Sequence, residues 1–168
     1  MKIRMENEFD YQGIREINLC AFPGNDEALL VEKLRKSDEI ISLVAINGDK
    51  IIGHVLLSSA TIENGDESFN VLVLAPVAVL PEFQNQGIGT KLIKCSLEEA
   101  RKRGCSIVTV LGHPKYYPRF GFKPAKKYGI ESPFKVPEES FMIFELVPGT
   151  LNHVSGVLKY SEAFDDIL

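Results

Sequence analysis

A chain of 168 residues is long enough for one domain with a well-buried core and short for two. Apolar residues at 45% and charged residues at 25% make a soluble globular balance, and a net charge of -4 gives no general attraction to nucleic acid or anionic lipid. Cys20, Cys95 and Cys105 are odd in number and not closely spaced. That pattern speaks against a disulfide framework or a zinc site, and a reducing cytoplasm is the simplest setting. The first residues lack the apolar run of a signal peptide, and no apolar stretch is long enough to span a bilayer. One domain over residues 1–168 is expected, with 148–168 as a C-terminal extension packed on it.

In chain order, Lys2 to Glu6 alternates polar and apolar and predicts a short strand. Asp10 is a plausible N-cap for a helix carrying Ile14, Ile17 and Leu19. Pro23-Gly24-Asn25 ends it, and Asp26 caps a second helix with Leu29, Leu30 and Leu34 on one side. Ile41 to Ile46 and Ile51 to Ile62 form a hairpin about Asn47-Gly48, residues that tolerate positive φ. Phe69 to Leu80 is apolar nearly throughout, as expected of a central strand. Gly87 to Arg103 is the clearest helix, with Leu92, Ile93, Leu97 and Ala100 at helical spacing and Gly104 as its stop. Ser106 to Leu111 follows as a buried strand, which makes a βαβ-like unit. A compact aromatic segment, Tyr116 to Phe122, precedes a last strong strand at Phe141 to Val147 and a short one at Val157 to Tyr160.

The segment Val77-Ala78-Val79-Leu80-Pro81-Glu82-Phe83-Gln84-Asn85-Gln86-Gly87-Ile88-Gly89-Thr90 joins a buried strand to the long helix through a glycine-containing loop. A helix start leaves backbone N–H groups without partners and carries partial positive charge. Glycines let a bulky anion come close, so the pattern reads as a phosphate site that needs no lysine. The dinucleotide pattern GxGxxG fails because Leu92 stands at its third glycine, and no Gly-Lys-Ser/Thr follows for a Walker loop.

What remains, Gln84-x-x-Gly87-x-Gly89 after a strand, resembles the pyrophosphate motif of the GNAT superfamily of N-acetyltransferases. Tyr117-Pro118-Arg119-Phe120-Gly121-Phe122 is similar to that family's tail motif Tyr-x-x-x-Gly-Phe. Ala75 to Pro81, Gly112 to Phe122 and the tail Gly156 to Tyr160 are similar to its YhbS-like branch, so the resemblance spans almost the whole chain. His113 stands where many relatives carry an acidic residue.

The resemblance implies an α/β fold (α+β in some schemes), with a mixed, mostly antiparallel central sheet, a splayed parallel pair and flanking helices. It implies acetyl-CoA as co-substrate, no metal, and direct acetyl transfer to a primary amine of a small molecule, peptide or protein. The cofactor-binding residues it implies are Val77, Ala78, Val79, Gln84, Asn85, Gln86, Gly87, Ile88, Gly89, Thr90, Tyr117 and Phe120. Tyr117 is implied as the acid that protonates the departing thiolate. The amine must also lose a proton, and Glu27, Glu82 and His113 are the candidates by chain position, with His113 placed beside Tyr117 as a catalytic residue. The alternative is a GNAT-fold module that binds or senses acetyl-CoA without catalysis. The acceptor stays open, as does the choice between monomer and homodimer.

Overall fold

Alternating polar and apolar residues make Lys2–Met5 the first strand, β1, in a computed structural model that describes residues 1–167. Helices α1 (Tyr11–Ala21) and α2 (Asp26–Ser37) lead to the hairpin of β2 (Ile40–Asn47) and β3 (Lys50–Asn64). A second turn leads to β4 (Glu67–Val79), followed by α3 (Ile88–Lys102) and β5 (Ile107–Leu111). The rest is β6 (Lys123–Pro124), β7 (Ile130–Glu131), β8 (Phe141–Glu145) and β9 (Gly156–Lys159).

The sheet order is β1-β2-β3-β4-β5-β8-β6, with β9 on β3 and β7 on β9. β1 with β2, β2 with β3, β5 with β8, β6 with β8 and β3 with β9 run antiparallel. β4 and β5 run parallel through only Leu72↔Val108 and Val73↔Thr109, and β4 then continues to Val79. This is the mixed α/β arrangement that the sequence predicts, with one further parallel pair, the short β7 and β9.

The described residues gather into two compact units, chiefly Met1–Ser58 with Ala75–Glu99, and Ser59–Leu74 with Ala100–Asp166. In the first, consecutive residues of β3 serve opposite faces, because side chains alternate along a strand. Gly53 faces α3, where a Cβ would stand 2.7 Å from Leu92 Cδ1 and 3.1 Å from Ile88 Cγ2. Its missing side chain lets the helix lie close. His54 faces α1 and is wholly buried, as are Ser42 and Asn18 to within 1%.

The buried polar groups on that face form one chain. Asn18 Nδ2 donates to Ile14 O and lies 3.3 Å from His54 Nδ1, so Nδ1 is the acceptor and Nε2 holds the proton. Nε2 then donates to Ser42 Oγ at 2.9 Å, and Ser42 Oγ donates to Glu6. Arg35 of α2 closes the chain with two bonds to the Glu6 carboxylate, 2.8 and 3.1 Å, and stacks over Tyr11 at 3.8 Å. Burial first, and the Arg35 charge second, push the His54 pKa down to about 3.

Three sequence expectations need correction here. Asp26 is the first residue of α2 rather than its cap, and the N-cap is Asn25, whose side chain makes no capping bond. Asp10 precedes α1, but its side chain makes no cap. Its carboxylate accepts from the Arg4 guanidinium at 2.7 and 2.9 Å and from Asn7 N at 2.8 Å. Leu19 is 40% exposed, and the neighbouring Asn18 occupies the core instead.

In the second unit, β8 lies along β5 from Ile107↔Glu145 to Leu111↔Phe141. The tail is held by β9 on β3, Thr61↔Lys159 to Glu63↔Val157. Gly156 is required there: its φ is +134°, and a Cβ would come within 2.2 Å of Glu63 O. The Lys123 to Glu139 excursion is anchored by β7 on β9 and by Phe134, whose ring stacks on Tyr160 at 5.7 Å.

Candidate active site

The strand end of β4 holds Val77 and Val79 partly exposed and Ala78 buried. Leu80 N donates to Ile52 O at 3.0 Å, which keeps the strand end on β3. Pro81 then starts a single tight turn, Pro81–Phe83, and Asn85 and Gly87 follow with φ of 62° and 82°. Left-handed residues at such close spacing turn successive amides into an anion-binding concavity. Asn and Gly are the residue types that adopt this conformation at least cost.

Helix α3 begins immediately afterwards. The amides of Gly87, Ile88 and Gly89 have no carbonyl one turn earlier to bind, and the helix start adds its partial positive charge. Ile88 is buried against β3, which fixes the helix start, while Thr90 is half-buried one residue past Gly89. The loop thus fits a pyrophosphate held by the main chain.

Gln84 has a different part from the one its motif position suggests. Its Nε2 donates to Val79 O at 3.0 Å, and its own amide donates to Pro81 O at 3.3 Å. The first bond ties the loop to its own strand, and the second closes the Pro81–Phe83 turn. Gln86 Nε2 likewise bonds Glu82 O at 3.3 Å. The two glutamines shape the loop.

The aromatic segment lies in the other unit. Tyr117–Phe120 forms a short 3-10 turn that ends at Gly121, with φ of 107°. Tyr117 meets Tyr116 edge-on at 5.1 Å and Phe122 at 5.8 Å, and Phe120 lies 5.4 Å from Tyr116 and 6.2 Å from Tyr117. Gly112 makes room for the phenol, since a Cβ there would come within 2.3 Å of Tyr117 Cε2. Burial first, then Tyr116, push the Tyr117 pKa up to about 12, so its proton stays in place across the physiological range. Arg119 stacks over Tyr116 at 4.3 Å and donates from Nε to Tyr116 O at 2.8 Å.

The three base candidates differ in surroundings. Glu82 is exposed and pairs with Lys50 at 3.3 Å. His113 is exposed, and its Nδ1 accepts from Lys115 N at 3.2 Å while its carbonyl accepts from Tyr116 N and Tyr117 N. That ring shapes the turn before Tyr117, and its acceptor nitrogen is occupied. Glu27, in the first turn of α2, has one carboxylate oxygen shielded from solvent and without a hydrogen bond. Among the described residues no three His, Cys, Asp or Glu side chains gather into a metal-ion site, and no helix is long and apolar enough to cross a membrane.

A strand end, two left-handed loop residues and a helix start together make an arrangement suited to an anion. The chain belongs to the acetyltransferase (GNAT) family, whose model matches residues 11–122. It is 41% identical over 134 residues to the uncharacterised N-acetyltransferase YjhQ of Escherichia coli K12, covering 77% of this chain and 74% of that one. It is 30% identical over 167 residues to the uncharacterised N-acetyltransferase YhbS of the same strain, covering 98% and 99%. Two solved structures are similar. E. coli YhbS in complex with CoA superposes with a TM-score of 0.92 at 30% identity, over 98% of this chain and 91% of that one. A GNAT acetyltransferase of Brucella melitensis in complex with acetyl-CoA gives 0.79 at 31% identity, over 98% and 97%.

Proposed function

We propose that this acetyltransferase moves the acetyl group of acetyl-CoA directly to a primary amine of a small molecule, peptide or protein. The observation that carries the reading is the Val77–Thr90 segment, a strand end followed by left-handed residues at Asn85 and Gly87 and the start of α3. Structures similar over nearly the full chain, one solved with CoA and one with acetyl-CoA, support the choice of ligand.

In this reading the exposed edge of Val77 to Val79 pairs with the pantetheine arm as an added strand, and a main-chain N–H there polarises the thioester carbonyl. The amides of Asn85, Gln86, Gly87, Ile88, Gly89 and Thr90 hold the pyrophosphate, with Gln84 keeping the loop in shape. Tyr117 donates to the sulfur as it leaves, and Phe120 packs beside the cofactor arm. His113 orients the Tyr117 turn through its carbonyl and its Nδ1.

The reading is tested by titrating acetyl-CoA into the protein and following thiol release over a panel of primary amines. Saturable binding and amine-dependent CoA release are expected. Binding with no release on any amine would favour the sensing module, and no binding would remove the reading altogether. Gln84→Ala is expected to raise the acetyl-CoA Kd about fivefold to tenfold, the equivalent of one net hydrogen bond of about 1 kcal/mol, with the melting temperature little changed. An unchanged Kd by calorimetry would mean that the loop keeps its shape without that bond.

A further inference from the structure

We infer that Gly112, a residue outside the Tyr-x-x-x-Gly-Phe motif, is a positioning residue that sets where the Tyr117 phenol stands. The β5–β8 ladder, not the turn that carries Tyr117, fixes that place. The inference deepens the transfer reading above and rests on it for the role of the phenol.

A glycine is needed either for a left-handed backbone or for a close neighbour. Gly112 is not among the left-handed residues, so its backbone suits an alanine equally well. The need comes from the neighbour alone, and that neighbour is one side chain. The three atoms nearest to a Cβ at Gly112 are Cε2, Cδ2 and Cζ of Tyr117, at 2.3, 2.9 and 3.3 Å. Gly13 and Gly53 also avoid the left-handed region, but they let α1 and α3 lie against β3. Gly112 serves no helix packing of that kind, and its whole effect falls on the phenol ring.

What holds each partner decides which one gives way. Gly112 follows β5, whose pairing with β8 runs from Ile107↔Glu145 to Leu111↔Phe141 without a break. Gly112 N extends that ladder by one bond, to Ser140 O at 2.9 Å, and Ser140 N donates in turn to Pro137 O at 3.0 Å. Tyr117 stands on one short 3-10 turn, with its amide 3.4 Å from His113 O. The strand is therefore the fixed partner and the ring the one that moves. Tyr116 and Phe122 meet the ring edge-on at 5.1 and 5.8 Å, and Phe122 is backed by Phe144 at 5.6 Å. Ordinary contact begins near 3.4 Å, so a methyl group at Gly112 drives the ring edge back by about 1 Å. Cζ carries the hydroxyl, and the oxygen moves with it. A reacting group misplaced by that much loses about 100-fold in rate.

The test is Gly112→Ala in the full chain. With the fastest amine of the primary-amine panel, kcat is expected to fall about 100-fold while the acetyl-CoA Kd by calorimetry stays within about twofold. In a Tyr117→Phe background the same substitution is expected to cost less than about threefold more, because the hydroxyl that it displaces is already gone. The ring signals of Tyr117 in tyrosine-labelled protein, identified by their loss in Tyr117→Phe, are expected to shift. A kcat within about threefold of wild type, an equal further loss in the Tyr117→Phe background, or an unmoved ring would each overturn the assignment and leave the transfer reading standing. A wild type that binds acetyl-CoA and acetylates no amine overturns the transfer reading, and the ring signals still decide whether Gly112 sets the phenol's place. If Gly112→Ala does not fold, Gly112→Ala/Tyr117→Ala is expected to be at least as stable as Tyr117→Ala, since no ring remains to be met. A double variant less stable than Tyr117→Ala would overturn the assignment.

Discussion

Tyr117→Phe is expected to lower kcat by about 100-fold to 10,000-fold and to leave the acetyl-CoA Kd within about twofold. The ring is held by Gly112, Tyr116 and Phe122, and all of those contacts survive the loss of the oxygen. What is lost is the hydroxyl, which makes no hydrogen bond with the described residues. With a pKa of about 12, the phenol is a weaker acid than a free thiol near 8.5, so complete transfer to a free thiolate runs uphill. In the proposed reaction its main contribution is then a hydrogen bond that strengthens as charge builds on the sulfur. The wild-type pH profile should accordingly show no tyrosine limb below about pH 11. Steady-state rates with calorimetry on both proteins check the two halves. An unchanged kcat would take Tyr117 out of the chemistry and leave it as packing.

A second large effect concerns stability. The folded-state pKa of His54 is about 3 and its unfolded value is near 6.5, so the unfolded chain binds a proton that the folded chain refuses in between. The stabilising contribution of neutral His54 is thus complete above about pH 6.5 and is lost as pH falls toward 3. The slope approaches about 1.4 kcal/mol per pH unit, or roughly 2–3 kcal/mol between pH 6.5 and 4.5. Urea unfolding at pH 7, 5.5 and 4.5 measures it. His54→Gln is expected to be less stable at pH 7, because it leaves Asn18 or Ser42 poorly matched, and to show a flatter acid slope. An acid slope as steep in the variant as in the wild type would place the titrating group elsewhere.

The parts of this fold that were legible in the sequence are those governed by neighbours in the chain. Gly87 to Arg103 was readable as a helix because its apolar spacing and its glycine stop are local, and α3 differs by one residue at each end. The Asn47-Gly48 turn and the β9 strand were legible for the same reason. The anion loop announced itself through Gly87 and Gly89 at a strand-to-helix junction. Its working was less visible, since nothing near Gln84 in sequence says that its amide bonds back to Val79.

Distance in the chain hid the rest. Asn18 reads as the polar neighbour of a core Leu19, yet its partner His54 lies 36 residues away and reverses their places. No sequence signal assigned His54 a role. The polar letters Asn18, Ser42 and His54 inside otherwise apolar elements were the available clue. Glu27, Glu82 and His113 were the bases that chain position allowed, and nothing near them in sequence shows that Glu82 pairs with Lys50 or that one Glu27 oxygen is shielded from solvent.

The loop after β4 has a consequence for how such proteins diverge. Its donors are peptide groups, and its side chains either bond back to the loop, as Gln84 and Gln86 do, or stand exposed, as Asn85 does. A binding surface made of main chain is nearly blind to which side chains decorate it. Exposed positions can drift, and the ligand sees the same peptide groups so long as two residues keep their left-handed turn. A site built from side chains has no such immunity, and one substitution there is enough to change what it binds.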